Sequence, residues 1–317
     1  MTLESALKVT VIVCAYTEER WSDLKECLKS LQNQTWKPEQ VILVIDHNPT
    51  LFERAKQEFA EVQVVENINE QGLSGARNTA LPLAQKDILS FIDEDAVAAP
   101  DWLETLVKTY QDSSVMGVGG LIRPSWVEQK PSWFPEEFNW VVGCSYLGLP
   151  QKTAPIRNMI GCNMSFRRES LETAGLFRVD MGRIGTIPLG CEETEFCIRL
   201  KHYWPERTFI YEPLASVDHR VPPVRGRFAY FRARCYAEGL SKALVSQFVG
   251  AGDGLSSERQ YTFKTLPEGV LRGLRDLFNG DIAGLGRAVA IVTGLFITTV
   301  GYLVGLVSTP HLKLIES

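Results

Sequence analysis

The chain has 317 residues, 45% hydrophobic and 22% charged, enough for one large α/β domain of about 250 residues and an appendage. A formal net charge of −5 excludes the overall basic footprint of a nucleic-acid binder. The 7 cysteines are scattered and form no C-x-x-C pair, which points to a reducing compartment and away from a disulfide framework or a zinc site.

Val9 to Ala15 is β-branched, apolar and short, which predicts a buried parallel strand. It lacks the length and the basic start of a signal peptide. After a turn at Tyr16 to Glu19, a helix is expected over Ser22 to Gln32, with Leu24, Cys27, Leu28 and Leu31 on one face. Val41 to Ile45 reads as a second strand ending at Asp46. Leu51 to Phe59 reads as a helix and Val62 to Val65 as a third strand. This βαβαβ rhythm predicts a mostly parallel, Rossmann-like sheet with helices on both faces. Ligands of such sheets bind beyond the carboxyl ends of the strands, where Tyr16, Asp46 and Asp93 are expected.

Gly72 to Asn78 opens a helix and can offer backbone N–H groups and Arg77 to an anion; a plain glycine turn is the structural alternative. The strand Ile88 to Ile92 delivers Asp93-Glu94-Asp95. An apolar strand carries such charges only at its end, where water or a cation reaches them. Asp93 and Asp95 are two apart, so on extended backbone they point the same way. Hard oxygen ligands of this kind suit Mg2+ or Mn2+ shared with substrate phosphates, although an acidic turn has the same sequence. Pro100 is expected at the first turn of the next helix.

Regular patterning fades between Arg123 and Ile160, where Pro124, Pro131, Pro135 and Pro150 break up a segment rich in Trp, Phe and Tyr. Such segments form sugar-stacking or membrane-facing surfaces, or fill a core. Gly190 to Glu195 holds the second acidic cluster, Glu192-Glu193-Thr194-Glu195, which leads into a helix. Dipole-favoured acids at a helix start explain part of it, but three carboxylates in four residues exceed what capping needs. His219 precedes Arg225, Arg227, Arg232 and Arg234, so a metal and a diphosphate can meet there. Thr265 to Glu268 has the spacing of a capping box, and Val270 to Leu285 continues at amphipathic helical spacing. Ala288 to Val307 is uncharged and long enough to span a bilayer. Gly301 and Gly305 have the G-x-x-x-G spacing of a dimerisation face, so a homodimer is a candidate assembly.

Together these motifs resemble the family 2 glycosyltransferases and their GT-A fold over about Val9 to Arg234, and within that family the glucuronosyltransferase-like enzymes acting on lipid-linked sugars. Val11 to Arg20 looks like the family's first strand and its tyrosine–asparagine–glutamate opening, with Thr17 in the asparagine place. Asp46-His47-Asn48 replaces the usual aspartate–glycine–serine. Gly72 to Asn78 matches the glycine and alanine–arginine–asparagine segment, and Gly161 to Arg168 the segment before the acceptor site. The resemblance implies donor binding by Tyr16, Glu18, Asp46, Arg77 and Asp93, and a metal, Mn2+ or Mg2+, on Asp93 and Asp95 with His219. It places the catalytic base at Glu193, with Glu192 as the alternative, both usual aspartate positions of that motif being Glu here.

The expected activity is inverting, metal-dependent transfer of a sugar from a nucleotide-diphosphate donor to a lipid-linked sugar or glycan, as in polysaccharide or glycolipid biosynthesis. The alternative is a nucleotide-sugar-binding module of the same fold without transfer. The expected organisation is a GT-A domain over residues 1–240, a linker and interfacial amphipathic helix over 241–287, and a transmembrane helix over 288–307. Arg272, Arg275 and Arg287 precede the apolar helix and only Lys313 follows it. By the positive-inside rule the catalytic domain is then cytoplasmic on a single-pass cell-membrane protein.

Overall fold

A computed structural model describes residues 7–182, 189–250, 252 and 256–312. It begins with β1 (Val9–Ala15), α1 (Trp21–Gln32), β2 (Gln40–Ile45), α2 (Pro49–Glu58) and β3 (Gln63–Glu66), the alternation the sequence predicts. Then follow α3 (Leu73–Ala80), β4 (Ile88–Asp93), β5 (Ala96–Ala98), α4 (Trp102–Thr109) and β6 (Val115–Trp126). β7 (Ala154–Ile156), β8 (Asn163–Arg167), α5 (Arg168–Ala174), α6 (Glu192–Tyr203) and β9 (Thr208–Val221) come next. The C-terminal helices are α7 (Phe228–Val249), α8 (Ser256–Gln260), α9 (Leu266–Phe278) and α10 (Ala283–Leu312).

The strands form one nine-stranded sheet in the order β3-β2-β1-β4-β8-β6-β9-β5, with β7 also on β9. β3, β2, β1 and β4 run parallel. β8 is antiparallel to both β4 and β6, and β5 and β7 are antiparallel to β9. In the parallel half Val11, Val13, Ile42, Leu43, Val44 and Ile45 are fully buried, which is why these strands read as unbroken apolar runs. On α1 the predicted face is buried, with Leu24, Cys27, Leu28 and Leu31 each at most 3% exposed. Each leucine there contributes about 1.5–3 kcal/mol relative to an exposed one.

The chain forms two compact units, one of Met1–Arg123, Pro150–Asp180 and Arg199–His219, the other of Pro124–Leu149, Met181–Ile198 and Arg220–Ser317. In the second unit the aromatic segment fills a core: Phe134 and Phe138 are buried. Trp133 sits 5.5–5.6 Å from the Phe134, Phe228 and Phe231 rings, and Phe138 5.2 Å from Phe231. Helix α7 runs along α10 so closely that a Cβ on Gly239 would lie 2.2 Å from the Thr298 carbonyl oxygen, and one on Gly301 2.3 Å from that of Tyr236.

Several expectations are corrected here. The Gly301–Gly305 face is covered by α7 of the same chain, so it is not a free dimerisation face. Residue 240, where the expected GT-A domain ends, lies within α7. Pro100 lies before α4, which starts at Trp102 with Asp101 at its cap; the Pro100 carbonyl instead accepts from the Thr35 amide at 2.8 Å. No capping box forms at Thr265, which is itself helical, because a π-helical turn over Tyr261–Thr265 runs straight into α9. Among the described residues one helix is long and apolar enough to cross a membrane, Ala283–Ser308.

Candidate active site

Because β1, β2 and β4 are parallel neighbours, their carboxyl ends share one edge of the sheet, with Ala15 level with Ile45 and Cys14 with Asp93. Tyr16 emerges there 45% exposed, and the Arg20 guanidinium lies 5.4 Å from its ring. Glu18 sits in the following turn, 3.6 Å from Arg54. Asp46 is buried and organises the next loop. Its Oδ1 accepts from Asn67 Nδ2 at 2.7 Å, and its Oδ2 from the Gly72 amide at 2.9 Å. His47 Nδ1 is 2.8 Å from Oδ1. Gly72 has φ 131°, a conformation that favours glycine, so Asp46 pins the turn that starts α3.

The acidic stretch after β4 divides its labour. Arg20 Nη1 donates to Glu94 Oε1 at 2.6 Å and stands 3.2 Å from Asp95 Oδ2. Burial, and then the Asp95 charge, push the Glu94 carboxyl up to about 7 against the lowering effect of Arg20. Asp95 Oδ1 is 3.1 Å from His219 Nε2. Asp93, Cys162 and His219 each bring one ligand atom within 4.8 Å of the others. The three metal-site residues read from the sequence are thus brought together, although Asp95 meets the imidazole and Arg20 rather than standing in the three-residue set. A carboxylate oxygen, an imidazole nitrogen and a sulfur fit a divalent cation.

Arg77, expected to meet an anion, is buried. Its Nη2 lies 3.3 Å from the Gly161 carbonyl, and its guanidinium lies 5.9 and 5.7 Å from the Phe91 and Phe177 rings. It braces the 161–163 turn. Asn78 beside it exchanges two hydrogen bonds with the Phe177 backbone at 2.8 and 2.9 Å.

In the second unit the other acidic cluster opens α6. Glu192 and Glu195 are buried at 4% and 1% exposure, whereas Glu193 is part-exposed, the state a proton acceptor needs. Cys191 just before it has φ 71°, a strained position for a non-glycine residue. Helix α7 secures the entry: the Gly190 amide donates to Ser241 Oγ at 3.0 Å, and Cys191 Sγ lies 3.5 Å from Glu238 Oε1. Of the arginines expected to add positive charge, Arg225 is buried with Nη1 3.4 Å from the Val142 carbonyl, and Arg234 stands 3.7 Å from Glu238.

Sequence reasoning missed Cys162 and Arg20 as site residues. Both lie in segments that carry the family resemblance, Val11 to Arg20 and Gly161 to Arg168, but no residue type or spacing there marks either as a site residue.

The family described as Glycosyl transferase family 2 matches residues 10–175. A glucosyl-dolichyl phosphate glucuronosyltransferase of Haloferax volcanii is 33% identical over 312 residues, 96% of this chain and 98% of that protein. A mannosyltransferase of Pyrobaculum calidifontis, solved with GDP-Man and Mn2+, superposes with a TM-score of 0.61 at 19% identity over 95% of this chain and 88% of that one. GalNAc-T7, solved with UDP, GalNAc and Mn2+, gives 0.54 at 17% identity over 81% and 54%. The two structures share the GT-A fold with this chain, and the family match with the full-length relative establishes that the chain belongs to the family 2 glycosyltransferases.

Proposed function

We propose that the protein is an inverting, metal-dependent glycosyltransferase that moves a sugar from a nucleotide-diphosphate donor to a lipid-linked acceptor at the cytoplasmic face of a membrane. The observation that carries this reading is the convergence of Asp93, Cys162 and His219 within 4.8 Å at the strand-end edge. It occurs in a chain 33% identical, almost end to end, to a transferase whose name specifies a glucosyl-dolichyl phosphate.

Tyr16 offers an exposed ring for a nucleobase to lie against, with Glu18 close behind. Asp46 holds the Gly72 turn in shape. Asp93 and His219 would hold Mn2+ or Mg2+, with Asp95 orienting the imidazole; such an ion, when bound, would neutralise a leaving diphosphate. Glu193 takes the proton of the acceptor hydroxyl as that oxygen bonds to the anomeric carbon. The bond to the diphosphate breaks on the opposite side, the diphosphate keeps the electron pair, and one displacement inverts the carbon.

The apolar surface supports a lipid-borne acceptor. Phe263, Phe278 and Ile282 are 79–86% exposed around α9, a face suited to the headgroup boundary. Arginines before α10 favour a cytoplasmic active site, with α10 as the single span. One observation favours a second reading of α10. Its inner face packs on Tyr236, Gly239, Leu240 and Ala243 of α7. Its uncovered face shows Val289, Val292, Phe296, Leu303 and Val307. A helix covered by protein along one side and apolar along the other also fits insertion along the membrane surface, apolar side down. Labelling Val307→Cys from outside intact cells supports a span; labelling only after lysis supports the in-plane helix.

The activity test incubates the full-length protein in detergent with Mn2+, a panel of nucleotide sugars and a polyprenyl-phosphate glucose acceptor. Product is read by mass spectrometry and its anomeric configuration by NMR. The expected result is one preferred donor and an inverted linkage. Binding of a donor with neither hydrolysis nor transfer for any sugar would leave the binding-module reading standing instead.

A further inference from the structure

The sheet pairs two residues that the sequence keeps far apart. β8 runs antiparallel to β4 with Ile92 opposite Asn163, so one step further Asp93 faces Cys162. Residues directly opposed on antiparallel strands project to the same face, with Cβ atoms about 4.5–5.5 Å apart. His219 arrives from β9, opposite Ala96, which follows the acidic stretch. Cys162 and His219 are 4% and 2% exposed.

The backbone on both sides of Cys162 is fixed. Gly161 lies against Arg77 so tightly that a Cβ would come within 2.7 Å of Nη2. Asn163 closes a turn onto the Ile160 carbonyl at 3.0 Å. Its side chain accepts from Trp102 Nε1 at 2.9 Å and donates to the Leu121 and Ala215 carbonyls at 3.1 and 2.9 Å. The thiol is therefore held in place before any ion arrives, as a ligand must be.

We propose that Cys162 Sγ is a ligand of the divalent cation, beside Asp93 and His219, and tilts the site away from Mg2+ toward softer ions. The inference rests on the reading that Asp93 and His219 hold a cation. Thiolate sulfur selects softer transition ions, whereas Mg2+ demands oxygen and keeps its waters. Binding displaces the thiol proton to solvent.

The test uses full-length protein stripped with EDTA and titrated with Co2+, read by absorption. Wild type is expected to show cobalt d–d bands in the visible and a sulfur-to-cobalt charge-transfer band in the near ultraviolet, saturating at one ion per chain. Cys162→Ser should keep the visible bands and lose the ultraviolet one. Cys14→Ser, on the neighbouring strand level with Asp93, should keep both. Calorimetry should show Cd2+ affinity falling at least about tenfold in Cys162→Ser, the scale on which removing even an outlying partner of a ligand acts, with Mg2+ affinity little changed. Visible bands without a charge-transfer band in wild type, or a band that survives in Cys162→Ser, would overturn the cysteine ligand alone. No Co2+ binding by wild type would overturn the cation site with it. If Cys162→Ser does not fold, the wild-type spectrum still decides.

Discussion

Asp46 offers a test of how the donor-side loop is built. Replacing it by Asn exchanges one carboxylate oxygen for an NH2 group. The two oxygens now accept from Asn67 Nδ2 at 2.7 Å and from the Gly72 amide at 2.9 Å, at a side chain only 10% exposed. Whichever way the amide turns, one of these donors faces another donor. Losing a hydrogen bond to a charged group costs about 1.5–3 kcal/mol, and a stranded buried donor costs a similar amount. About 2–3 kcal/mol for Asp46→Asn is therefore expected, and more for Asp46→Ala. For a unit of about 150–250 residues that is a fall in Tm of about 4–12 °C. The assay is thermal unfolding without donor at fixed divalent ion, with donor KM measured in parallel. A loosened Gly72 turn should raise KM in the same order as Tm falls. A Tm within about 1 °C of wild type, below the 2–4 °C that a single kcal/mol moves such a unit, would refute the structural role and leave Asp46 as a donor contact only.

Glu193→Gln keeps size but accepts no proton, so kcat should drop by about 10²-fold or more with donor affinity little altered; a larger loss in Glu192→Gln would move the base by one residue. Gly301→Leu should destabilise the detergent-solubilised protein by about 1–3 kcal/mol or more through overpacking on α7, while Val307→Ala, on the uncovered face, should stay within about 0.5 kcal/mol; equal effects would mean that α10 does not pack on α7. Burial and Asp95 raise the Glu94 carboxyl from 4.5 to about 7, so the folded chain binds this proton more tightly than the unfolded one. In EDTA, stability should fall as pH rises between those values and level off above them; Glu94→Gln should flatten that slope, and an unchanged slope would assign it to other groups.

The first four parallel strands, the buried face of α1 and the strand-end positions of Tyr16, Asp46 and Asp93 were legible in the sequence alone. Each depends on a local period or on the place where an apolar run stops, and those are properties of a segment itself. The second acidic cluster was legible in the same way as a helix start, and burial then separated part-exposed Glu193 from Glu192 and Glu195. Partners were a different matter. Cys162 reaches Asp93 only through an antiparallel pairing, and nothing in its neighbourhood encodes which strand lies alongside; His219 was placed with Asp93 by the family resemblance, not by any local pattern. The Gly301–Gly305 stripe shows that a helix has a face for close packing, but not that α7 of the same chain occupies it. Thr265 has the residues of a cap, yet the chain before it is already helical, so there is no free helix start to cap. Apolar periodicity reports that a surface must be covered. Only the tertiary structure decides what covers it, because many surfaces satisfy the same non-directional demand, and strand register and close backbone approach select one.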